Sequence, residues 1–396
     1  QRAAPLLSVI PPREENTMLE PIQGARDKQL LAATVVLMAV GLLMVYTSSA
    51  GLGAEKYEGD LYYYFRHQAM RVVLAFAAMV VMMNIDYHKL QRMAPWLLLF
   101  AYAALMVVVI PGLGKQVRGA RSWSGLFPIQ PSEFAKFAMI LYLSVFIAKR
   151  TNIHSFKKCV LPCFVFILGV TGLVLLQPDL GSALAIVLVG MALTYAAGAR
   201  LLHLSCMLGV GAVASVLCML KNPYQMSRVV DFFTKGPGYQ VNQSLIALGT
   251  GGLVGKGLGG SMQKYLFLPD PHTDFVFSIY GEETGFIGTL LLISLFVFLL
   301  LRGLKIATNA PDRFGLLLGT GLVAGIGVFF VVNIGVVVGL IPTTGLPLPF
   351  ISYGGSALLV NAVSVGILVN ISGHRSLGGV SVGGSRWTRH TVRLTE

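Results

Sequence analysis

The chain has 396 residues, 55% of them hydrophobic and only 12% charged, with a formal net charge of +13. Soluble domains carry roughly 25% charged residues, so these proportions exclude an ordinary soluble globular protein and indicate a polytopic membrane protein with one helical domain. In that setting the positive charge suits anionic membrane lipid rather than nucleic acid. The four cysteines, Cys159, Cys163, Cys206 and Cys218, lie in or beside apolar runs. With no second ligand pair they read as packing residues, not a zinc site.

Residues 1–28 are polar, with Pro5, Pro11, Pro12 and Pro21, and read as a flexible tail. No small-residue cleavage site follows the first apolar run, so a signal peptide is not indicated. Then come ten runs of the roughly 17 to 25 apolar residues that a transmembrane helix requires. They lie at about 30–50, 68–85, 95–111, 133–149, 159–177, 180–197, 201–220, 275–301, 315–341 and 350–371. The expected fold class is therefore all-α: a polytopic integral membrane protein of about ten transmembrane helices over 29–371. A long extracytoplasmic loop, 221–274, joins the seventh and eighth helices. Residues 372–396, rich in Gly, Ser and Arg, read as a disordered cytoplasmic tail.

Lys and Arg in short loops set orientation. Arg26, Lys28, Lys89, Arg92, Lys149, Arg150, Arg200, Arg302, Lys305, Arg313 and Arg375 all fall on one side when the spans alternate. Both termini are thereby placed in the cytoplasm. The opposite loops are also basic, with Lys115, Arg118 and Arg121 before the fourth helix and Lys221, Arg228, Lys235, Lys256 and Lys264 in the long loop. Either an anion is met on that face, or long loops translocate regardless of charge.

Several motifs lie at that outer boundary. Gln130-Pro131-Ser132-Glu133 opens the fourth helix with Ser132 as a cap candidate. Glu133 and Lys136 share a helix face, as a stabilising pair or as the wall of a polar cavity. Asp179, after Gln177-Pro178, caps the sixth helix or contributes to a site. A formal GxGxxG at Gly255, Gly257 and Gly260 follows no strand and has no Walker A spacing, so no nucleotide site is expected. Its glycines suit backbone running close to a ligand or to the membrane, and Tyr239–Ser244 before it suits an amphipathic surface segment. In Pro269-Asp270-Pro271-His272-Thr273-Asp274-Phe275, Thr273 or Asp274 can cap the eighth helix, where a carboxylate is favoured. A cap does not account for Glu282, two turns deeper on the same face, and ionisable groups at membrane depth are functional candidates by default. Finally, Pro342–Ser356, with three prolines and several hydroxyls, reads as non-helical backbone that lines a cavity.

Together these segments resemble the SEDS family (shape, elongation, division and sporulation) of bacterial cell-wall membrane proteins, its FtsW and SpoVE types more than its RodA type. The resemblance rests on Gly119-Ala120-Arg121-Ser122-Trp123 through Pro131-Ser132-Glu133-Phe134-Ala135-Lys136, Gln177-Pro178-Asp179-Leu180-Gly181, His272-Thr273-Asp274-Phe275 with Gly281-Glu282-Glu283, and Pro349-Phe350-Ile351-Ser352-Tyr353-Gly354-Gly355-Ser356. It covers about residues 30–371. Departures are Pro269-Asp270-Pro271 where members often carry Pro-Glu-Ala, Thr284 where Leu is usual, and Ser122 between Arg121 and Trp123.

The resemblance implies a peptidoglycan glycosyltransferase that polymerises lipid II at the outer face of the bacterial cytoplasmic membrane. In such a reaction a sugar hydroxyl displaces undecaprenyl pyrophosphate with inversion, and one general base suffices. Asp274 is the candidate base. Arg118, Arg121, Lys136, Glu133, Asp179, His272, Glu282 and Ser356 are candidate substrate-binding residues. A divalent cation, Mg or Mn, is the candidate cofactor, with Asp179 and Glu133 as candidate ligands. The implied partners are a class B penicillin-binding protein, a transpeptidase, and other divisome or elongasome proteins. A lipid II flippase and a noncatalytic scaffold for a transpeptidase are the competing readings. The outer clustering of carboxylates favours chemistry over transport.

Overall fold

A computed structural model describes residues 22–23, 26–110, 114–117, 120–124, 130–150, 156–221, 223–234, 236, 238–265, 267–269 and 271–375. The architecture is helical: α1 (Lys28–Lys56), α2 (Tyr63–Asn84), α3 (His88–Val109), α4 (Pro131–Ala148), α5 (Leu161–Leu175), α6 (Leu180–Ala196), α7 (Leu201–Lys221), α8 (Pro223–Thr234), α9 (Tyr239–Thr250), α10 (Val276–Thr308), α11 (Arg313–Val337) and α12 (Gly355–Gly373). Among the described residues the strands are confined to two short antiparallel pairs, β1 (Ile22–Gln23) with β4 (His374–Arg375) and β2 (Gly114–Val117) with β3 (Ala120–Ser124). Among the described residues nine helices are long and apolar enough to cross a membrane, α5 together with the π-helical turn Phe156–Val160 that leads into it, and α6 is a shorter apolar tenth. All ten coincide with the runs expected from sequence. The connection expected at 221–274 is not one loop, because α8 and α9 lie inside it.

Local signals explain several helix starts. Asp27 Oδ1 accepts from Leu30 N at 2.9 Å, Asp179 Oδ1 from Ser182 N at 3.0 Å and Asp312 Oδ2 from Gly315 N at 3.2 Å, so three aspartates cap α1, α6 and α11. Ser132 does not cap α4. The helix begins at Pro131, whose missing N–H suits the first turn, and Gln130 occupies the cap position. Neither Thr273 nor Asp274 caps α10, since Phe275 stands there without a side-chain cap bond.

Packing is densest around α4, α11 and α12. Met79, Met139, Leu141, Leu318 and Val365 are all fully buried in one continuous core. α12 lies along α2 at a crossing so close that a Cβ at Gly366 would meet the Met79 carbonyl, the small-residue contact expected of membrane helices. α7, by contrast, leaves Leu201, Leu202, Val213, Leu217 and Leu220 exposed.

The bundle has two unlike ends. At one, Arg302 Nε pairs with Asp27 at 2.7 Å, Arg26 donates to Asn84 at 2.9 Å, the Tyr87 hydroxyl bonds Asp312, and Arg313 Nη1 donates to the Arg150 carbonyl at 2.6 Å. Four arginines of the series used for orientation thus gather at one end. The other end holds α8, α9 and the turns that precede α10 and α12.

α10 is not a continuous helix. Gly285, at φ +69°, interrupts it, freeing the carbonyls of Glu282 and Glu283 and the N–H groups of Phe286 and Ile287 from helical partners. The Gly-rich turn after α9 supplies the missing partners. Lys256 N and Gly257 N each donate at 3.0 Å to the carbonyls of Glu282 and Glu283, while Phe286 N and Ile287 N donate at 2.9 and 3.1 Å to Gly252 and Leu253. A Cβ on Gly255 would collide with the Glu283 carbonyl. Of the glycines in the formal GxGxxG, Gly255 therefore serves close approach to the broken helix, while Leu253, Val254 and Leu258 of the same turn are exposed. α9 joins the same packing. Its buried Ser244 hydroxyl lies 2.6 Å from that of Ser278 and 2.7 Å from the Val337 carbonyl.

Candidate active site

At the end opposite the arginine cluster lies a cavity of about 770 Å³, lined by residues of α2, α6, α7, α8, α9 and α11 and by the turns before α10 and α12. Asp274 and His272 line it from one side, Asp179 from another, and Ser356 and Gln130 from a third. Asp274 is half-buried and His272 buried.

The backbone that carries Asp274 is fixed at three successive carbonyls. Tyr353 N donates to His272 O at 2.9 Å, Ser352 Oγ to Thr273 O at 2.6 Å, and Asn333 Nδ2 to Asp274 O at 2.8 Å. Asn333 also donates to Leu346 O at 2.8 Å, and Ser352 Oγ accepts from Leu348 N at 2.8 Å. The proline-rich turn before α12 and the C-terminal end of α11 therefore position the aspartate together. The His272 ring packs 4.6 Å from Tyr64 and 5.2 Å from Tyr353, and the Arg71 guanidinium lies 4.4 Å from the Tyr353 ring centre.

Asp179 combines its cap bond with a place on the cavity wall. Burial pushes its carboxyl above the ordinary carboxylate range; hydrogen bonds from Ser182 pull it partly back, and the charge of Glu133 raises it further. Glu133 and Lys136 form a buried ion pair at 2.8 Å, with the Lys136 ammonium 3.5 Å from the Phe329 ring centre. They stand behind the cavity rather than on its surface. Gln130, one turn before them, does reach the wall, and its N–H is held at 2.8 Å by Ser356 Oγ.

Glu282 is turned away from the cavity. It is fully buried, and its carboxylate receives Lys256 Nζ at 2.6 Å, Met262 N at 3.1 Å, Gln263 N at 3.2 Å and the Ser261 hydroxyl. Glu283 meets Lys264 Nζ at 3.5 Å. Both acids clamp the Gly-rich turn onto the α10 break. Arg118 lies outside the described residues, and Arg121 is described only as backbone in β3. Among the described residues no cluster of three or more His, Cys, Asp or Glu is arranged to hold a metal.

The cavity also contains residues that carried little weight in the sequence. Arg71 and Arg228 line it, as does Asn333. Arg71 had a usable signal, a guanidinium inside an expected transmembrane run. Asn333 had less, being one amide within an apolar helix.

An apolar helical bundle with Arg71, Asp179, Arg228 and Asp274 lining a cavity at one end defines an integral membrane protein with a polar site at that end. The model of the FtsW, RodA and SpoVE family, described as "Cell cycle protein", matches residues 28–377, and the chain belongs to that family. Stage V sporulation protein E of Bacillus subtilis is 40% identical over 354 residues, covering 87% of this chain and 96% of that protein. The probable peptidoglycan glycosyltransferase FtsW of Trichlorobacter lovleyi is also 40% identical, over 357 residues, covering 87% and 93%. Among solved structures, a chain from a peptidoglycan synthase complex that coordinates polymerization and crosslinking superposes with TM-score 0.71 at 27% identity, covering 89% of this chain and 98% of that one. The rod shape determining protein RodA of Thermus thermophilus does so with TM-score 0.66 at 25% identity, with the same coverage.

Proposed function

We propose that the chain is a peptidoglycan glycosyltransferase that polymerises lipid II, with Asp274 as its general base. The observation that carries this reading is the placement of a half-buried aspartate in a large cavity, on backbone fixed at three consecutive carbonyls. A base must meet the attacking hydroxyl at hydrogen-bond distance, and a rigid mount lowers the cost of holding that geometry. Several family members carry the name peptidoglycan glycosyltransferase, which supports the reaction class.

In this reading the cavity opens at the outer face of the cytoplasmic membrane, and the arginine cluster marks the cytoplasmic end with both termini. The acceptor sugar hydroxyl loses its proton to Asp274 as its oxygen bonds the anomeric carbon of the donor. The bond from that carbon to the pyrophosphate oxygen breaks, and undecaprenyl pyrophosphate leaves with the electron pair. Of the cations expected to meet it, Lys136 is paired with Glu133 behind the cavity, while Arg118 and Arg121 keep their expected part, and Arg71 and Arg228, which line the cavity, join them. Mg²⁺ characteristically uses one or two carboxylates plus substrate phosphates; of the expected ligands Asp179 lines the cavity and would hold such an ion, which would supply charge for the leaving phosphates. Glu133, occupied by Lys136, fits that role less well. The partner in this reading is a class B penicillin-binding protein, in keeping with the resemblance to a chain of a synthase complex.

The test is purified protein, with its transpeptidase partner, incubated with labelled lipid II. Wild type makes glycan polymer, and Asp274→Ala binds lipid II without polymerising it. Normal polymerisation by that variant would remove the base assignment.

A further inference from the structure

A series of aromatic rings starts at the cavity wall. From the His272 ring, beside Asp274, ring contacts run outward without a gap: Tyr64 at 4.6 Å, Tyr63 at 5.4 Å from Tyr64, and Tyr57 stacked on Tyr63 at 3.6 Å with planes 11° apart. Exposure rises along the series, from buried Tyr64 through half-buried Tyr63 to exposed Tyr57. Tyr46 and Tyr62 form a second stacked pair, their ring centres 5.6 Å apart, and Tyr62 is 52% exposed.

The turn that presents these rings is built rather than loose. Tyr57 N donates to Gly53 O at 2.9 Å, Gly59 N to Ala54 O at 3.0 Å and Asp60 N to Tyr57 O at 2.9 Å. Asp60 then accepts from Tyr62 N at 3.0 Å and pairs with Arg66.

Neither core packing nor a membrane-interface belt fits these tyrosines as well. Rings in a core are covered, and these become uncovered along the series. An interfacial tyrosine belt lies at the headgroup level. A helix crosses a 30 Å hydrocarbon core in about 20 residues, so α1, entering at Lys28, leaves it near residue 48. Tyr57 stands about nine residues further on. Around it Glu55, Glu58 and Asp60 outnumber Lys56 and the Arg66 that pairs with Asp60, a net negative charge that anionic headgroups disfavour. The same side chains suit a saccharide, whose C–H faces stack on aromatic rings while its hydroxyl edges seek carboxylates.

We propose that Tyr64, Tyr63 and Tyr57 form a saccharide-binding track along which the growing glycan strand leaves the cavity. The proposal rests on the glycosyltransferase reading of Asp274. Rings that hold the strand between additions keep it from dissociating, so the track governs product length rather than the chemical step.

Two measurements test it. In the lipid II assay, Tyr57→Ala and Tyr63→Ala lower the median glycan length about fivefold, the scale of one lost aromatic contact, while the first-turnover rate stays within about twofold; Tyr57→Phe, which keeps the ring, retains wild-type lengths. Unchanged lengths in a Tyr57→Ala protein that elutes as a single species overturn the track. Failure of wild type to polymerise at all would instead strike the glycosyltransferase reading. Independently of folding in the variants, a β-1,4-linked N-acetylglucosamine hexamer mixed with wild-type protein shows NMR saturation transfer from aromatic protons to its ring C–H protons, reduced in Tyr57→Ala. No transfer from the wild type overturns the proposal.

Discussion

Asn333 and Asp274, 59 residues apart in sequence, are joined by a 2.8 Å hydrogen bond from the Asn333 amide to the Asp274 carbonyl. The same amide nitrogen donates to Leu346 O at 2.8 Å, so one side chain of α11 ties the entry to α10 to the proline-rich turn before α12. Replacing Asn333 by Ala leaves two carbonyls without this donor, a loss of about 1–3 kcal/mol. It also loosens the mount of the base, and displacement on the scale of 1 Å costs about 10²-fold in rate. Asn333→Ala is therefore expected to lower both the thermal midpoint and kcat while KM for lipid II changes little. A fall in midpoint with kcat unaltered would show the amide to be structural only.

Arg71 reaches the cavity from α2 and lies over the Tyr353 ring. A planar guanidinium can stack on an aromatic face and still present a fork of donors to phosphate, which an ammonium cannot. Arg71→Lys is therefore expected to behave as a loss. Removal of one preorganised donor to a developing negative charge typically costs about 10²-fold or more in kcat. Single-turnover polymerisation of Arg71→Lys and Arg71→Ala would both fall by that order; near-normal turnover in the Lys variant would assign the residue a steric role.

Glu282 and Lys256, paired at 2.6 Å with the carboxylate fully buried, separate a structural from a substrate-binding role. Removing one partner of a buried pair costs roughly 3 kcal/mol. Glu282→Gln should lower the thermal midpoint and expose the 251–265 turn to limited proteolysis, and Lys256→Met should do the same. KM measured on the folded fraction should hold. The opposite result, a raised KM with stability intact, would return Glu282 to the substrate.

The ten apolar helices were legible in the sequence because each is a sustained apolar run that composition alone reveals, and Asp179 was legible as a cap because capping is local. Glu282 was misplaced by helical arithmetic counted from Asp274, which stands in the turn before α10 and not on the helix itself. The chain breaks at Gly285, and the acid's partners come from a turn 19 to 26 residues earlier. Ser132 and Thr273 suit caps by type, yet Pro131 and Phe275 set those helix starts. Asn333 carried no local signal because its role is to join segments distant in sequence.

Asp179 gives a prediction with a definite sign in pH. Burial raises its carboxyl above the ordinary range, so the folded protein holds that proton more tightly than the unfolded chain. The associated stabilisation is complete below about pH 4, the ordinary Asp value, and is lost as pH rises through the raised folded value. At neutral pH the charged form therefore opposes folding. Asn at this position keeps the N-cap acceptor and removes the charge. Asp179→Asn should melt higher than wild type near pH 7.5, with the difference shrinking toward pH 4. If Asp179 also serves the cavity, polymerisation falls in the same variant, so stability and activity move in opposite directions. A scan of thermal midpoint against pH for both proteins, paired with the lipid II assay at pH 7.5, measures both. A variant that melts lower than wild type at neutral pH would mean that the ionised carboxylate is stabilised in the fold by a cation or donor stronger than Ser182.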